Sequence, residues 1–441
     1  MNQDATSRYQ KHATTQSKAP PQLRSRSTGT SRPGAMRAAI GCLVVLAVAL
    51  GAGRFAFTPL LPLMLHDRLL DLRHGGWLAS ANYAGYFIGA VTCGVVRVDH
   101  ARMLRVGLAA TALLLLAMGA SNAFVLWVLI RFVAGVISAW TFVFASQWGL
   151  RRLATLGAHG LSGVIYAGPG VGIVVTGLLV SVAGGYGSRA GWYGFGIGSL
   201  VLAALVWKIF EAEPAEPAAQ GSDTRNTHDA KPEPATRPTH TTEATHAARH
   251  TRIHATRLVV LYGIPGFGYI ITATFLPVIA RTALPGSHWP DLFWPMFGIA
   301  QIVGAVYAAR LPAHWDNRVL LAGSYVVQAV GIVVGIFAPT ALGFSCSSLL
   351  IGLPFTAITL FAMREARRLH GERAAGLMGY ATAAYGIGQI VGPLVAAPIA
   401  ARTGSFSPAL WLAAAALVVG AVALVLSARQ GGRRSGHVPA A

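Results

Sequence analysis

Charged side chains are what this chain has least of. Only 11% of its 441 residues are Asp, Glu, Lys or Arg, against about 25% in a soluble domain. So few charges cannot solvate an outer surface, which excludes a water-soluble globule and requires most of the exterior to meet lipid. Acids are scarcer still, 15 against 35 Lys and Arg, and none lies in the middle of an apolar run. The nearest are Asp67, Asp71, Asp99, Asp291 and Glu365, all toward run ends. A membrane-depth carboxylate of the kind that carries protons is therefore missing. The three cysteines, Cys42, Cys93 and Cys346, stand alone without CxxC or metal spacing, which leaves them as small packing residues. There is no phosphate-binding loop, dinucleotide turn or nucleophile elbow, and Gly266-Phe267-Gly268 lacks the glycine that a phosphate loop would need next. Acid, base and metal ligands do not cluster, so no enzyme, metal site or cofactor is expected.

What the chain does have is 54% hydrophobic residues. They fall in runs long enough to cross a bilayer, which takes about 20 residues as a helix. The spans read as 38–65, 75–96, 103–121, 123–148, 160–184, 189–210, 257–283, 290–311, 318–337, 339–363, 373–400 and 407–428. The expected fold is thus an all-α integral membrane protein of about twelve transmembrane helices. Residues 1–36 read as a disordered cytoplasmic tail and 429–441 as a second tail. Residues 37–210 and 257–428 read as two six-helix bundles. The connector 211–256, rich in Ala, Pro, Thr, Glu and His, reads as a flexible linker without the apolar surface to fold alone. Its His246, His250 and His254 have the i, i+4, i+8 spacing of a helical metal site, but the low-complexity surroundings favour plain linker.

The net charge of +20 does not point to nucleic acid, because the basic residues sit in tails, linker and short loops. On one side are Arg97, Arg102, Arg105, Arg151, Arg152, Arg310, Arg318, Arg364, Arg367, Arg368 and Arg373; on the other are Arg68, Arg73, Arg189, Arg281 and Arg402. The richer side is cytoplasmic. Both termini fall on it, and in a bacterium the membrane is the inner one.

The two halves echo one another. Gly53 and Pro62 repeat as Gly268 and Pro277, Leu61 as Leu276, and Gly89-Ala90-Val91 as Gly304-Ala305-Val306, all at a shift of 215. At 216, Arg151-Arg152 repeats as Arg367-Arg368 and Gly172 as Gly388. A parallel repeat of this kind places a substrate site near the bilayer midplane, and rocking of the halves gives alternating access.

These residues resemble the major facilitator superfamily. The run Gly53-Arg54-Phe55-Ala56-Phe57-Thr58-Pro59-Leu60-Leu61-Pro62, followed by Gly76-Trp77-Leu78-Ala79-Ser80-Ala81-Asn82-Tyr83-Ala84-Gly85-Tyr86, is similar to the uncharacterised YbfB/YjiJ-type branch. The resemblance implies a major facilitator fold, secondary transport and protons as coupling ion. Arg131, opening the small-residue run Arg131-Phe132-Val133-Ala134-Gly135, matches the fourth-helix motif, whose Arg is implicated in coupling or substrate contact. The loop motif after the second helix is degenerate here, with Asp99 displaced by one, and Asp99 reads equally as a gate residue or a helix cap. The antiporter-associated glycine motif survives only in part at Gly168 and Pro169, and with full spacing at Gly379, Gly388, Gly392 and Pro393, where close packing is the simpler role.

Two ionisable groups fall well inside spans, Arg54 and Arg131. Each costs about 2.5–3.5 kcal/mol to place there. With no carboxylate at their depth, the expected partner is the substrate itself, an organic anion, with carbonyl bonding or snorkelling as the structural alternative. Asn82, Tyr86, Gln147, Tyr166, Tyr269, Gln301, Tyr385 and Gln389 complete the expected binding set. The function expected is secondary transport of a small solute. A proton-coupled multidrug-type exporter and a non-transporting membrane sensor are the alternatives.

Overall fold

The computed structural model describes residues 31–210, 241–312, 314–371 and 374–435. Among the described residues there is no strand, as expected where backbone groups have no water to bond and must satisfy one another within a helix. The helices are α1 Ser31–Leu46, α2 Phe57–His66, α3 Leu72–Thr92, α4 His100–Ala120, α5 Phe124–Thr155, α6 Ser162–Ala183, α7 Gly187–Val206, α8 Thr241–Ala283, α9 Pro290–Arg310, α10 Asn317–Phe337, α11 Ala341–Gly352, α12 Phe355–His370, α13 Ala374–Thr403 and α14 Ser407–Ser435. Between α1 and α2 the chain winds as a π-helix over Ala47–Phe55.

Among the described residues, ten segments are long and apolar enough to cross a membrane. One of them, His159–Phe210, holds both α6 and α7, separated where Gly187 takes φ +82°, a conformation open to glycine at no steric cost. The α3 helix is not among the ten, since Arg73, His74 and Asn82 dilute its apolar residues. The α8 helix begins at Thr241, inside the stretch expected as linker. The expected 339–363 span is divided into α11 and α12 around Pro354, whose missing N–H interrupts the ladder.

The few acids mark where helices begin. Asp71 accepts from His74 N at 2.8 Å, Asp99 from Arg102 N at 2.8 Å and Asp316 from Arg318 N at 2.9 Å. These caps satisfy orphan amides at the ends of α3, α4 and α10. Thr340 does the same for α11, accepting from Gly343 N at 3.2 Å.

The α3 helix meets α13, and α6 meets α9, along two glycine-lined seams. A Cβ on Gly76 of α3 would stand 2.7 Å from the Ala397 Cβ and 2.9 Å from the Pro393 carbonyl of α13; one on Gly177 of α6 would stand 2.5 Å from Pro295 of α9; one on Gly170 would stand 2.5 Å from Ile302. Toward the opposite end both seams loosen. Gly163 of α6 and Gly376 and Gly379 of α13 have nothing within 4 Å. Val91 and Tyr380 are 62% and 71% exposed there. The α3–α13 and α6–α9 contacts are therefore tight toward the Asp71 end of α3, while Val91 and Tyr380 near its Thr92 end are exposed.

Candidate functional site

The site grows out of the π-helical turn. Pro59 has no N–H to offer the carbonyl of Phe55 four residues back or that of Arg54 five back, and Gly51 and Gly53 lower the cost of irregular winding. Carbonyls are thus left in need of donors. Arg131 of α5 serves the Arg54 carbonyl, donating Nη2 to it at 3.1 Å, and also donates Nη1 to Gly53 O on the same turn at 3.2 Å. Its guanidinium also lies over the Phe57 ring at 4.9 Å. Asn82 of α3 secures the helix that carries Arg131 by donating Nδ2 to the Arg131 carbonyl at 2.9 Å. Of the roles open to Arg131 from sequence, the structure places its guanidinium against backbone carbonyls. At 3% exposed, Arg131→Ala should cost about 2–5 kcal/mol by stripping two buried carbonyls of their donors. Thermal unfolding in detergent checks this; an unchanged transition would refute the clamp.

Arg54, itself on the π-turn and 6% exposed, points its side chain at the second half. Nη2 donates to Gln389 Oε1 of α13 at 2.9 Å. The guanidinium carbon sits 4.0 Å from the Tyr86 centroid, 5.2 Å from Tyr83 and 5.3 Å from Phe55, contacts worth about 0.5–2 kcal/mol each when desolvated. Gln389 donates its amide to the Tyr269 hydroxyl. Tyr385 stacks between Tyr269 and Tyr262 at centroid distances of 5.9 and 4.9 Å. Tyr83 pairs with Thr274 Oγ1 at 3.1 Å. Tyr262 donates to Thr359, 3.0 Å away. One guanidinium is thus ringed by tyrosine faces and a carboxamide, with α3, α8 and α13 converging on it. Arg54 Nε is buried without a hydrogen-bond partner among the described residues.

Five of the expected binding residues therefore meet at one place: Arg54, Tyr86, Tyr269, Tyr385 and Gln389. Arg131 and Asn82 support that place from behind. Gln147 lies elsewhere, exposed near the end of α5 and bonded to His100 at 2.8 Å. Tyr166 packs against Phe142 at 6.4 Å. Gln301 is buried on α9, its Oε1 without a partner among the described residues. Asp99 serves as the cap of α4. Gly168 lies against Leu43 O of α1, with a built Cβ at 2.6 Å; Gly388 lies against Gly263 O at 2.5 Å; Gly392 lies against Ile270 at 2.4 Å. Pro169 is buried beside Gly168, and Pro393 faces Gly76 across the seam. Among the described residues no group of His, Cys, Asp and Glu is set to hold a metal. His240 and the side chains of His246 and His250 lie outside them. Sequence reading did not single out Thr274 and Thr359. The 215 shift does carry Arg54 onto Tyr269, and Gln389 bonds both of them.

Every described carboxylate is engaged away from Arg54 and Arg131. Asp71 and Asp99 cap helices. Asp291 meets Arg281 at 2.5 Å. Asp316 and Glu365 share Arg318 and Arg368. Asp67 accepts from the Ser188 amide at 2.8 Å and hydroxyl at 2.6 Å, tying the end of α2 to the start of α7. Partial burial works to raise the Asp67 carboxyl, but the Ser188 donors and neighbouring His66 outweigh it and hold it below the usual 3.8. A lowered folded-state value stabilises above the unfolded value and is lost as pH falls through the folded one. The thermal transition should therefore be flat above the ordinary Asp range and drop below it. Asp67→Asn should flatten that drop in a pH series of melting curves; an identical acid limb in the variant would count against the tether.

A groove of about 710 Å³ between α8 and α14, lined by Ile253, Arg257, Val260, Leu426 and Gln430, is remote from Arg54. A pocket of about 10 Å³ touches Arg131, too small for a solute.

This arrangement matches a known family. The family described as uncharacterised MFS-type transporter YbfB fits residues 46–425. The chain belongs to that family. It is an MFS-type secondary transporter and a multi-pass membrane protein. No curated protein sequence matches it. Among solved structures, the nucleoside transporter NupG is similar in fold, with TM-score 0.67 at 15% identity over 89% of this chain and 98% of that one. A D-xylose-proton symporter is similar too, with TM-score 0.65 at 13% identity, covering 88% and 96%. At such identities the likeness is one of fold.

Proposed function

We propose that this transporter moves a small organic anion across a bacterial inner membrane by alternating access. The observation that carries the reading is Arg54: a cation at membrane depth, ringed by aromatic faces and one amide, with every described carboxylate committed elsewhere. A guanidinium offers a planar fork matched to carboxylate, and an anion arriving there neutralises a charge that is costly in lipid.

Alternating access rests on a two-bundle, twelve-span plan. Counting α6 and α7 separately and adding α3 to the ten apolar segments reaches that number. Equivalent glycines in the two halves make equivalent contacts, which supports the repeat. A Cβ on Gly51 would meet Gly172 at 2.4 Å, and one on Gly266 would meet Tyr385 O at 2.3 Å. Gly135 faces Asn82 O at 2.1 Å, and Gly352 faces Phe297 O at 2.5 Å. Gly89 faces Val136 O at 2.7 Å, and Gly304 faces Leu353 O at 1.7 Å. In this reading the positive-inside distribution sets both termini and the exposed ends of α3 and α13 on the cytoplasmic side, which corresponds to an inward-facing arrangement.

Protons are the coupling ion in this reading, as in the xylose-proton symporter of like fold, although the described acids inside apolar segments, Asp291 and Glu365, both fall near segment ends. The test is flux into proteoliposomes for labelled monocarboxylates, dicarboxylates and their neutral amides, with a nucleoside and D-xylose alongside and with and without an imposed pH step. Flux confined to the acids supports the anion. Flux of the nucleoside or sugar with none of the acids replaces it, and flux indifferent to the pH step removes the proton.

A further inference from the structure

We propose that Gln389 is a resident stand-in for the substrate's anionic group. It engages Arg54 when no anion is bound, ties the two halves together at mid-depth, and is displaced when an anion arrives. This deepens the anion reading and rests on it.

The geometry is specific. Gln389 Oε1 presents to Arg54 Nη2, at 2.9 Å, the same planar sp² oxygen that a carboxylate would offer. Its other end is fixed by the Tyr269 hydroxyl, so the oxygen is the atom turned toward the cation. The bond runs from the π-turn of the first half to α13 of the second. One residue along, Ser80 Oγ of α3 donates to Ile390 O at 2.8 Å, so Gln389 sits directly on the closed seam. The amide oxygen offers Arg54 only a dipole, whereas an anionic oxygen adds the attraction of a full opposite charge, so an anion outcompetes the amide for Arg54. When displaced, Gln389 retains Tyr269 as a partner and strands no buried donor, whereas a carboxylate at 389 would hold Arg54 permanently. Cross-seam hydrogen bonds that remain among the described residues then include Ser80 to Ile390 and Tyr83 to Thr274. Binding thereby removes a tie that opposes rocking, which links occupancy to conformational exchange.

Gln389→Glu converts the stand-in into an ionised one. The groups facing position 389 are Arg54, Tyr269, Tyr385, Tyr83 and Tyr86, with Arg131 behind; no described acid is among them. The introduced carboxylate therefore pairs with Arg54, and the adjacent cation keeps it ionised from about pH 8 down to about pH 5.

The experiment places spin labels at Val91→Cys and Tyr380→Cys, on the exposed ends of α3 and α13, in full-length protein with Cys42, Cys93 and Cys346 replaced, and reads interlabel distances in liposomes. In Gln389→Glu, the ratio of long- to short-distance populations should rise on the order of tenfold over wild type and stay raised on mild acidification. Gln389→Ala should deplete it. Benzoate, acetate and succinate are added as probes, with benzamide as the neutral control. At least one acid should shift the wild-type distribution, benzamide should not, and the Glu variant at the higher pH should resist the acid. Distributions identical in all three proteins would overturn the tie while leaving anion binding at Arg54 intact. Variant-dependent distributions with no response to any acid would overturn the stand-in and the anion reading together.

Discussion

Gly304→Val should leave no folded transporter to purify. A Cβ at Gly304 would stand 1.7 Å from the Leu353 carbonyl oxygen and 2.7 Å from its carbon. Both are backbone atoms and neither can swing aside, so α9 and the α11–α12 junction would have to separate. In lipid no hydrophobic gain compensates, because helix association rests on close van der Waals packing and small interface residues. Even Gly304→Ala should cost about 3–5 kcal/mol, at the severe end of single substitutions. Gly85→Ala should do comparable damage, its Cβ falling 1.9 Å from Phe132 O. The contrast is Gly379→Ala, where nothing lies within 4 Å: replacing a helical glycine there should be neutral or stabilising by about 0.5–1 kcal/mol. Folded yield on a sizing column and the thermal midpoint measure all four, and a well-folded Gly304→Val protein would contradict the seam geometry.

Arg54→Ala should abolish transport, lowering flux of any acid the wild type carries by about 100-fold or more, as expected when one partner of a desolvated charge pair is removed. Its fold should survive, because the Arg54 side chain bonds only Gln389 and aromatic faces, while Arg131 continues to hold the carbonyls of the turn. Arg54→Lys should recover part of the flux, since it restores charge without the bidentate fork. Flux and thermal midpoint measured together separate the site from the scaffold. Wild-type flux in Arg54→Ala would remove the anchor from the anion reading.

The membrane character of the chain was legible without coordinates, because the shortage of charge leaves lipid as the one compatible surroundings. The presence of Arg54 inside an apolar run was legible too, and a guanidinium there demands an explanation from residue chemistry alone. The separation of Arg54 from Arg131 was not legible. Both are cations in spans, and their different roles depend on which carbonyls the π-turn leaves without donors. Gln147 and Gln389 likewise look equivalent as polar residues in apolar helices. One is exposed beside His100, and the other is buried between Arg54 and Tyr269.

By itself the sequence determined that the chain is a multi-pass membrane protein and that two cations fall inside apolar runs with no acid beside them. These follow from transfer free energies, which depend on residue type and near neighbours. The tertiary structure decided which cation faces the other half, which end of the seams is tight, and that an amide from a residue 335 positions away holds Arg54. Those depend on helix rotation and on glycine contacts between segments distant in the chain, which no local pattern encodes.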